Sequence, residues 1–334
     1  MTERLGVAVH GGNLDTAAGA AARAEERGFE SVWTTEFYDR SATVSLAAMA
    51  LRTSSITIAS GIAYAVGRSP LVLAAEARDL AELSGGRLVL GLGTGTRTMQ
   101  RDWHGVDGAS PAPRVEELVP LLRRIWAMDA SGVRHEGRFY RMALQPTAEV
   151  TPAAPIPVYL AGFNARMVQA AGAVADGLVG HPIFTRRYVE DVVRPALAAG
   201  AARTGRTGEV PVAGYVITSV ADDGDRARRD AAAQIAFYTV VRTYAPLVEL
   251  EGFTAEVAAV RDAWKARDHD AMIAAVSPAM LDRMAVAGTP DEVRDRMTGF
   301  HGLYDRLLCY VPSYGLSTAE TGERVDAAID TFGR

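Results

Sequence analysis

Short apolar runs alternate with longer amphipathic stretches along this chain of 334 residues. The runs have the length and continuous apolar character of strands that are buried on both faces of a parallel sheet. Eight strands are predicted, over residues 4–10, 30–36, 54–64, 87–93, 155–162, 176–182, 209–220 and 305–312. The amphipathic stretches predict helices near residues 13–27, 41–52, 70–85, 113–128, 164–174, 185–203, 290–300 and 317–332. Residues 132–142 predict a small β-excursion between two of these helices.

Eight strands that alternate with helices are typical of an α/β protein with a (β/α)8 TIM barrel. Residues 221–283 are largely helical, and we interpret them as a helical insertion before the last strand. Because the chain contains no linker and no low-complexity tract, we predict a single domain over residues 1–334. A doubly wound open sheet is the alternative, since alternation alone does not distinguish an open sheet from a closed one.

The composition excludes several classes of function. The net charge of −5 provides no basic field for nucleic acid. No apolar run has the length of a membrane span and the N-terminus lacks a signal-peptide core, so we expect a cytoplasmic protein without membrane contacts. Cys309 is the only cysteine, and Lys265 is the only lysine and follows no glycine-rich turn. Intrachain disulfides, thiolate zinc clusters and P-loop chemistry are therefore excluded, and no histidine spacing predicts a metal site.

Candidate chemistry lies where the predicted strands end, because a barrel builds its active site at the carboxyl ends of its strands. Those ends carry His10, Glu36, Ser60, Gly61, Ile62, Thr94, Gly95, Thr96, Gly162, Phe163, Asn164, His181 and Tyr310. A carboxylate directly after an apolar strand needs a partner or water. Glu36 therefore has two open roles, a proton donor or the partner of Arg40 or Arg68 in an ion pair. His10 and His181 are either further proton donors or structural hydrogen-bonding residues.

Two glycine-containing motifs suggest a bound cofactor. The motif GLGTGTR (91–97) lacks the third glycine of a dinucleotide-binding loop, but it places two threonine hydroxyls on either side of Gly95. In LAGFNARMVQAAG (160–172) a strand ends at Gly162 and a helix opens near Asn164. Backbone amides and the positive end of the helix dipole then meet at one point, which suits a phosphate. An ordinary capped helix is the alternative interpretation of this motif.

Several segments together resemble the bacterial luciferase-like superfamily of flavin and deazaflavin oxidoreductases. These segments cover residues 24–36, 56–95, 114–126, 155–180 and 287–300, and they occur in the order that the family shows. Residues 181–197 and 236–253 resemble in particular the actinobacterial branch that uses coenzyme F-420, which is a 5-deazaflavin. The resemblance therefore implies a (β/α)8 barrel, coenzyme F-420 as the cofactor, with FMN as the alternative, and a homodimer.

The resemblance also implies roles for the residues at the strand ends. The family's third strand ends in a bulge with a non-prolyl cis peptide behind the cofactor ring, and this matches Gly61–Ile62 next to Ser60. The loop that meets the ring and the ribityl chain matches Thr94, Gly95 and Thr96, and the phosphodiester site matches Gly162, Phe163 and Asn164. An oligoglutamate tail favours a basic groove, for which Arg97, Arg101, Arg186 and Arg187 are candidates. A solvated arginine face is the alternative for these four.

The implied function is a reductase that delivers hydride from reduced F-420 to an electron-poor C=C, C=N or C=O of a small-molecule or natural-product substrate. Glu36, His10 and His181 are the predicted proton donors, with Tyr38 as a further candidate. The family's sugar-phosphate dehydrogenases have histidine in place of Glu36, glutamate in place of Thr96 and lysines that this chain lacks, so glucose-6-phosphate is excluded as the substrate. An FMN-dependent monooxygenase and a non-catalytic flavin-binding paralogue are the alternatives.

Overall fold

The computed structural model describes residues 5–151 and 153–334 of the chain. Its strands are β1 (Leu5–Ala8), β2 (Ser31–Thr34), β3 (Thr57–Ser60), β4 (Ala63–Tyr64), β5 (Leu88–Gly93), β6 (Val133–Glu136), β7 (Arg141–Leu144), β8 (Val158–Ala161), β9 (Gly177–Val179), β10 (Val212–Val220), β11 (Ala285–Gly288) and β12 (Arg306–Tyr310). Its α-helices are α1 (Leu14–Glu26), α2 (Ala42–Arg52), α3 (Pro70–Leu83), α4 (Arg97–Asp102), α5 (Pro111–Trp126), α6 (Ala165–Val174), α7 (Arg186–Tyr188), α8 (Arg194–Arg203), α9 (Gly224–Thr239), α10 (Ala245–Glu251), α11 (Thr254–Ala266), α12 (His269–Ala274), α13 (Pro278–Met284), α14 (Pro290–Met297) and α15 (Thr318–Phe332). A π-helical segment, Val189–Val193, continues α7 into α8, and Arg242–Tyr244 and Thr298–Phe300 are 3₁₀ turns.

The parallel strands and the helices follow one another in the succession of a (β/α)8 barrel. The eight strands of that succession are β1, β2, β3, β5, β8, β9, β10 and β12, and each corresponds to one of the predicted strands. The predicted fold class is therefore confirmed. Contacts along the chain divide it into two compact units, so the prediction of a single domain stays a prediction.

The first unit contains the described residues up to Trp33 together with Gly180–Pro195 and Pro211–Arg334. Its strands lie in the order β11, β10, β12, β1 and β2, and Val7 of β1 lies opposite Cys309 and Val32. The predicted helical insertion is present as α9 to α13. The sequence analysis missed β11, which pairs with the end of β10, because its four residues directly follow a helix without a turn signal.

The second unit contains Thr34–Val179 and Ala196–Val210. Its strands lie in the order β3, β5, β8 and β9, while β4 also pairs with β5. The predicted β-excursion is the antiparallel hairpin of β6 and β7. The loop expected before α5 contains the additional helix α4, whose six residues are too few to show helical periodicity.

Capping residues define the helix ends that the sequence predicts. Asn13, Ser69 and Asn164 cap α1, α3 and α6 with side-chain oxygens that accept from backbone amides. Gly28 follows α1 in the left-handed conformation, with φ of 77°. No helix in the described part of the chain combines the length and apolar character needed to cross a membrane.

Candidate functional site

The end of β3 forms a bulge that runs into the short strand β4. The peptide bond between Gly61 and Ile62 is cis and non-prolyl, as the resemblance implied. The amide of Gly61 donates to the carbonyl of Thr34 over 2.7 Å, and the hydroxyl of Thr35 donates to the Gly61 carbonyl over 2.9 Å. The amide of Glu36 donates to the carbonyl of Ile62 over 2.8 Å. The residues after β2 therefore hold the bulge through its backbone.

The glycines of β5 allow the bulge to pack closely against this strand. The hydroxyl of Ser60 donates to the carbonyl of Gly91 over 2.8 Å and accepts from its amide over 2.9 Å. A Cβ atom on Gly91 would collide with the Ser60 carbonyl, and one on Gly93 would lie 2.9 Å from Cδ1 of Ile62. The two glycines therefore allow close packing between the strands. Their spacing of two residues places both on one face of β5, and this spacing is the sequence signal for such packing.

The loop after β5 divides its two threonines between different roles. Gly95 has φ of 66°, and a Cβ atom there would lie 3.0 Å from the ring of Tyr64. Thr96 caps α4, because its hydroxyl accepts from the amide of Met99 over 3.2 Å. The buried Thr94 hydroxyl makes a long bond of 3.3 Å to the carbonyl of the adjacent Gly95. Thr94 is therefore the better placed of the two hydroxyls for a ligand.

The start of α6 has the geometry of an anion site. Its cap Asn164 is exposed, and Oδ1 of this residue accepts from the amide of Met167 over 3.1 Å. A Cβ atom on Gly162 would lie 2.9 Å from the amide nitrogen of Val168, so the end of β8 packs directly on the first helical turn. Phe163 between them is buried. The first amides of a helix lack intrahelical acceptors, and they favour a phosphate at this point.

Glu36 is buried and lies in an ion pair with Arg68. The guanidinium donates to both carboxylate oxygens, over 2.8 Å to Oε2, and the backbone amide of Tyr64 donates to Oε2 over 2.8 Å. Arg68 also contacts the carboxylate of Glu76 over 3.2 Å. The hydrogen bond to Glu36 raises the pKa of Arg68, while burial and then the charge of Glu36 raise the pKa of Tyr64 to about 12. This geometry supports the ion-pair role of Glu36 over the role of proton donor.

The two predicted histidines lie in an aromatic cluster of the first unit. The ring of His10 stacks on Tyr310 at a centroid distance of 4.9 Å. The ring of His181 lies 4.7 Å from Tyr238 and 4.4 Å from Tyr244. The hydroxyl of Tyr238 donates to the hydroxyl of Tyr310 over 2.8 Å and so joins the two histidines into one cluster. The sequence analysis missed Tyr238, which lies on a helix 72 residues before Tyr310.

Burial determines the protonation of this cluster. It lowers the pKa of His10 to about 4, with partial opposition from the backbone of Val311, and it lowers the pKa of His181 to about 3. Both ring nitrogens of His10 are buried and make no hydrogen bond of standard geometry. Burial also raises the pKa values of Tyr238 and Tyr310. At neutral pH the histidines are uncharged and the tyrosines keep their protons.

Three of the four arginines proposed for an acidic tail pair with carboxylates beside them in the chain. Arg101 contacts Asp102 over 2.6 Å, Arg186 contacts Glu190 over 3.1 Å, and Arg187 contacts Asp191 over 3.4 Å. The fourth, Arg97, is exposed. The solvated-face interpretation therefore accounts for the three paired arginines.

Metal-binding side chains do not cluster in the described ranges, 5–151 and 153–334. No group of three or more histidine, cysteine, aspartate or glutamate side chains there could hold a metal ion. Cys309 is buried, and burial raises the pKa of its thiol to about 12. Its thiol therefore stays protonated at neutral pH.

Comparison with known proteins shows the family of this chain. The family model described as luciferase-like monooxygenase matches residues 1–306. An uncharacterised protein of Mycobacterium tuberculosis is 34% identical in an alignment that covers 96% of this chain and 95% of that protein. The 5,10-methylenetetrahydromethanopterin reductase of Methanolobus tindarius is 30% identical over 285 residues, covering 82% and 83% of the two chains.

A solved structure shows the same fold. The coenzyme F-420-dependent tetrahydromethanopterin reductase from Methanopyrus kandleri superposes with a TM-score of 0.83 at 23% identity, covering 99% of this chain and 98% of that one. At this identity the likeness establishes the fold, and the family match over most of the chain establishes the membership. The chain belongs to the luciferase-like monooxygenase family.

Proposed function

We propose that this protein is an F-420-dependent oxidoreductase that works as a reductase. Its substrate would be a small molecule or natural product with an electron-poor C=C, C=N or C=O. The cofactor, when bound, supplies a hydride, while the protein supplies binding, orientation and electrostatics. A relative that is 30% identical and bears the name of a reductase supports this class of reaction.

One observation carries the proposal: three neighbouring strand ends of the second unit bear complementary cofactor-binding features. The sheet order β3, β5, β8 is parallel, so the carboxyl ends of these strands lie side by side. They carry, in order, the Gly61–Ile62 bulge, the loop from Thr94 to Thr96 and the start of α6 at Asn164. A flat ring, a hydroxylated chain and a phosphate in succession, as in F-420 or FMN, match this order.

The residues present fit this group. The bulge offers backbone and the apolar side chain of Ile62 as a support for a ring. Thr94 offers a hydroxyl that is only weakly engaged, and the first turn of α6 offers amide donors without intrahelical acceptors. Ser60, Gly162 and Phe163 maintain the packing of these elements.

An FMN-dependent monooxygenase is the second candidate, because the description of the family model names a monooxygenase. It differs at the phosphate, since FMN ends in a monoester dianion whereas F-420 has a phosphodiester with an oligoglutamate tail.

A non-catalytic flavin-binding paralogue is the third candidate, because Glu36 and Thr96 replace residues of the sugar-phosphate dehydrogenases. Both replacements have structural roles here: Glu36 forms an ion pair and Thr96 caps a helix.

The test is a pair of titrations with F-420 and with FMN, followed by absorbance. Asn164→Asp and Asn164→Ser both keep a side chain that caps α6 well, but only Asp adds a negative charge. We expect Asn164→Asp to weaken F-420 binding at least tenfold through repulsion of the phosphate, while Asn164→Ser binds like the wild type.

Each other outcome changes the assignment. Equal affinities of Asn164→Asp and Asn164→Ser for F-420 would show that the phosphate does not bind at the start of α6. Binding of FMN alone, with an oxygen-dependent product, would establish the monooxygenase. Binding of neither cofactor would overturn both enzyme assignments and favour a scaffold that has kept the fold without the chemistry.

We further infer a homodimer from apolar side chains that are exposed on α2 and α3. Leu51 is 72% exposed and Val44 is 51% exposed, and they lie seven residues apart on one face of α2. Leu71 and Val72, in the first turn of α3, are 42% and 48% exposed. The two helices pack against each other, and exposed apolar side chains on neighbouring helices are typical of a protein interface.

A further inference from the structure

Three exposed aromatic side chains form one cluster in the second unit. Phe37, Tyr38 and Trp103 are 41%, 77% and 44% exposed. The ring centroids lie 4.5 Å apart for Phe37 and Tyr38, 5.2 Å for Phe37 and Trp103, and 5.9 Å for Tyr38 and Trp103. The indole is nearly perpendicular to the other two rings, at 85° and 86°. The cluster leaves aromatic surface in contact with solvent, and exposed apolar surface of this kind marks a binding site.

The phenylalanine side of this aromatic cluster is attached to the bulge after β3. Phe37 directly follows Glu36, whose backbone amide donates to the carbonyl of Ile62 over 2.8 Å. The Phe37 amide donates to the carbonyl of Arg40 over 3.0 Å, which closes the turn that contains Tyr38. The two rings of this turn are therefore held next to a residue that bonds to the bulge, where the proposed function puts the cofactor ring.

The tryptophan side of the aromatic cluster is attached to the loop after β5. Thr96 caps α4, and Trp103 directly follows this helix. The next residue, His104, has its ring 4.5 Å from the ring of Tyr64. A Cβ atom on Gly95 would lie 3.0 Å from the same tyrosine ring, so the loop packs on this ring as well. Packing on Tyr64 therefore joins the tryptophan segment to the loop that the proposed function assigns to the cofactor.

We propose that Phe37, Tyr38 and Trp103 bind the substrate of this protein, and that this substrate is a planar aromatic or extended conjugated molecule. This inference rests on the proposed function, because it concerns the molecule that receives the hydride. The aromatic cluster and the bulge and loop of the proposed cofactor site belong to the same unit. A molecule that covers these rings therefore lies beside the elements that would hold the cofactor ring.

The electronic character of the rings favours this class of substrate. The faces of tyrosine and tryptophan rings carry the negative end of the ring quadrupole. A C=C, C=N or C=O that accepts a hydride is electron-poor, and conjugation extends this deficiency over a ring attached to it. Such a molecule stacks favourably on the aromatic cluster and buries apolar surface of both partners. A small aliphatic ketone or imine has no extended face and gains little from the same contacts.

An organic cation is the other kind of ligand that aromatic faces attract. The charges next to the cluster in the sequence are balanced, however. Asp39 and Arg40 follow its tyrosine, while Arg101 and Asp102 precede its tryptophan and contact each other over 2.6 Å. These neighbours provide no excess of negative charge to hold a cation, so a neutral planar molecule fits the cluster better.

Fluorine NMR of protein labelled with fluorotryptophan tests this site directly. The chain has four tryptophans, of which Trp33 and Trp126 are buried, whereas Trp103 and Trp264 are similarly exposed, at 44% and 40%. Trp264 lies on α11 of the first unit and serves as a control within the same molecule. The probe is benzylideneacetone, an enone conjugated to a phenyl ring, and the comparison compound is the enone with a methyl group in place of that ring.

We expect benzylideneacetone to shift the Trp103 resonance in a saturable way and to leave the Trp264 resonance unchanged, with and without F-420. The methyl enone should bind about tenfold more weakly, because it lacks the stacking ring. Tyr38→Ser should weaken binding of benzylideneacetone about threefold to tenfold, because one aromatic partner is lost. Leu83→Ser, which removes an exposed apolar side chain at the end of α3 in the same unit, should leave the affinity unchanged.

Equal shifts at Trp103 and Trp264, or equal affinities of the wild type and Tyr38→Ser, would overturn the proposal. Saturable binding of tetramethylammonium but not of benzylideneacetone would overturn it in favour of a cation. A lower mass of Trp103→Leu than of the wild type in light scattering would overturn it in favour of a dimer interface. If benzylideneacetone binds at Trp103 but F-420 does not bind, the proposed function fails, while the cluster keeps its role as a site for a planar ligand.

Discussion

Replacement of Glu36 by glutamine tests whether this residue stabilises the fold or transfers a proton. The substitution keeps the shape of the side chain and removes its charge. In the native structure the carboxylate accepts hydrogen bonds from Arg68 on both oxygens and from the amide of Tyr64. Only 9% of the Glu36 side chain and 20% of the Arg68 side chain are exposed. We therefore expect a loss of stability with little change in chemistry.

The expected size of the loss follows from these contacts. Removing one partner of a fully buried ion pair costs about 3–5 kcal/mol. Here Arg68 remains partly exposed and keeps the carboxylate of Glu76 at 3.2 Å, and the glutamine oxygen still accepts one of the hydrogen bonds. The loss therefore lies nearer the contribution of one charged hydrogen bond, about 2 kcal/mol.

Urea unfolding of Glu36→Gln measures this loss, and steady-state turnover measures the chemistry. The control Glu76→Gln removes a more exposed carboxylate from the same guanidinium. We expect it to lower the free energy of unfolding by about 1 kcal/mol or less. A double-mutant cycle with Arg68→Met should give a favourable coupling energy between residues 36 and 68. An unfolding free energy within about 0.5 kcal/mol of the wild type, with turnover lowered 10²- to 10⁴-fold, would refute the ion-pair role and establish Glu36 as the acid.

Three further predictions concern pH, packing and assembly. Burial lowers the pKa of His181 from 6.5 to about 3. Between these values the unfolded chain binds a proton that the folded chain does not, so the stability of the fold decreases as the pH falls from 6.5 towards 3. His181→Gln should therefore reduce the difference in melting temperature between pH 7.5 and about pH 4.5, and an unchanged difference would contradict the shift. Gly162→Ala should destabilise the chain by about 1–3 kcal/mol and weaken cofactor binding, whereas Gly19→Ala, within α1 and in open space, should stabilise it by about 0.5–1 kcal/mol. Unfolding and titration of both variants check this, and equal stabilities would contradict it. Light scattering at micromolar concentration should show a dimer for the wild type and a monomer for Leu51→Glu; a monomeric wild type would end this inference.

The sequence by itself determined the features that depend on neighbours along the chain. Continuous apolar runs marked the eight strands of the barrel succession, because a strand buried on both faces has no polar side. The strand end at Gly162 followed by Asn164 marked the capped start of a helix, because the capping side chain accepts a hydrogen bond from the amide three residues later. The position of the bulge at Gly61–Ile62 came from the resemblance to the family, and the structure has the cis peptide there.

Only the tertiary structure decided which distant residues meet. Glu36 pairs with Arg68, which is 32 residues away, and Tyr238 bonds to Tyr310, which is 72 residues away. Periodicity and spacing report the local conformation and the buried face, but they carry no information on which side chains face each other across elements. The role of Glu36 and the grouping of His10 with Tyr310 therefore depended on packing between elements, because such contacts form only when the strands are brought into register.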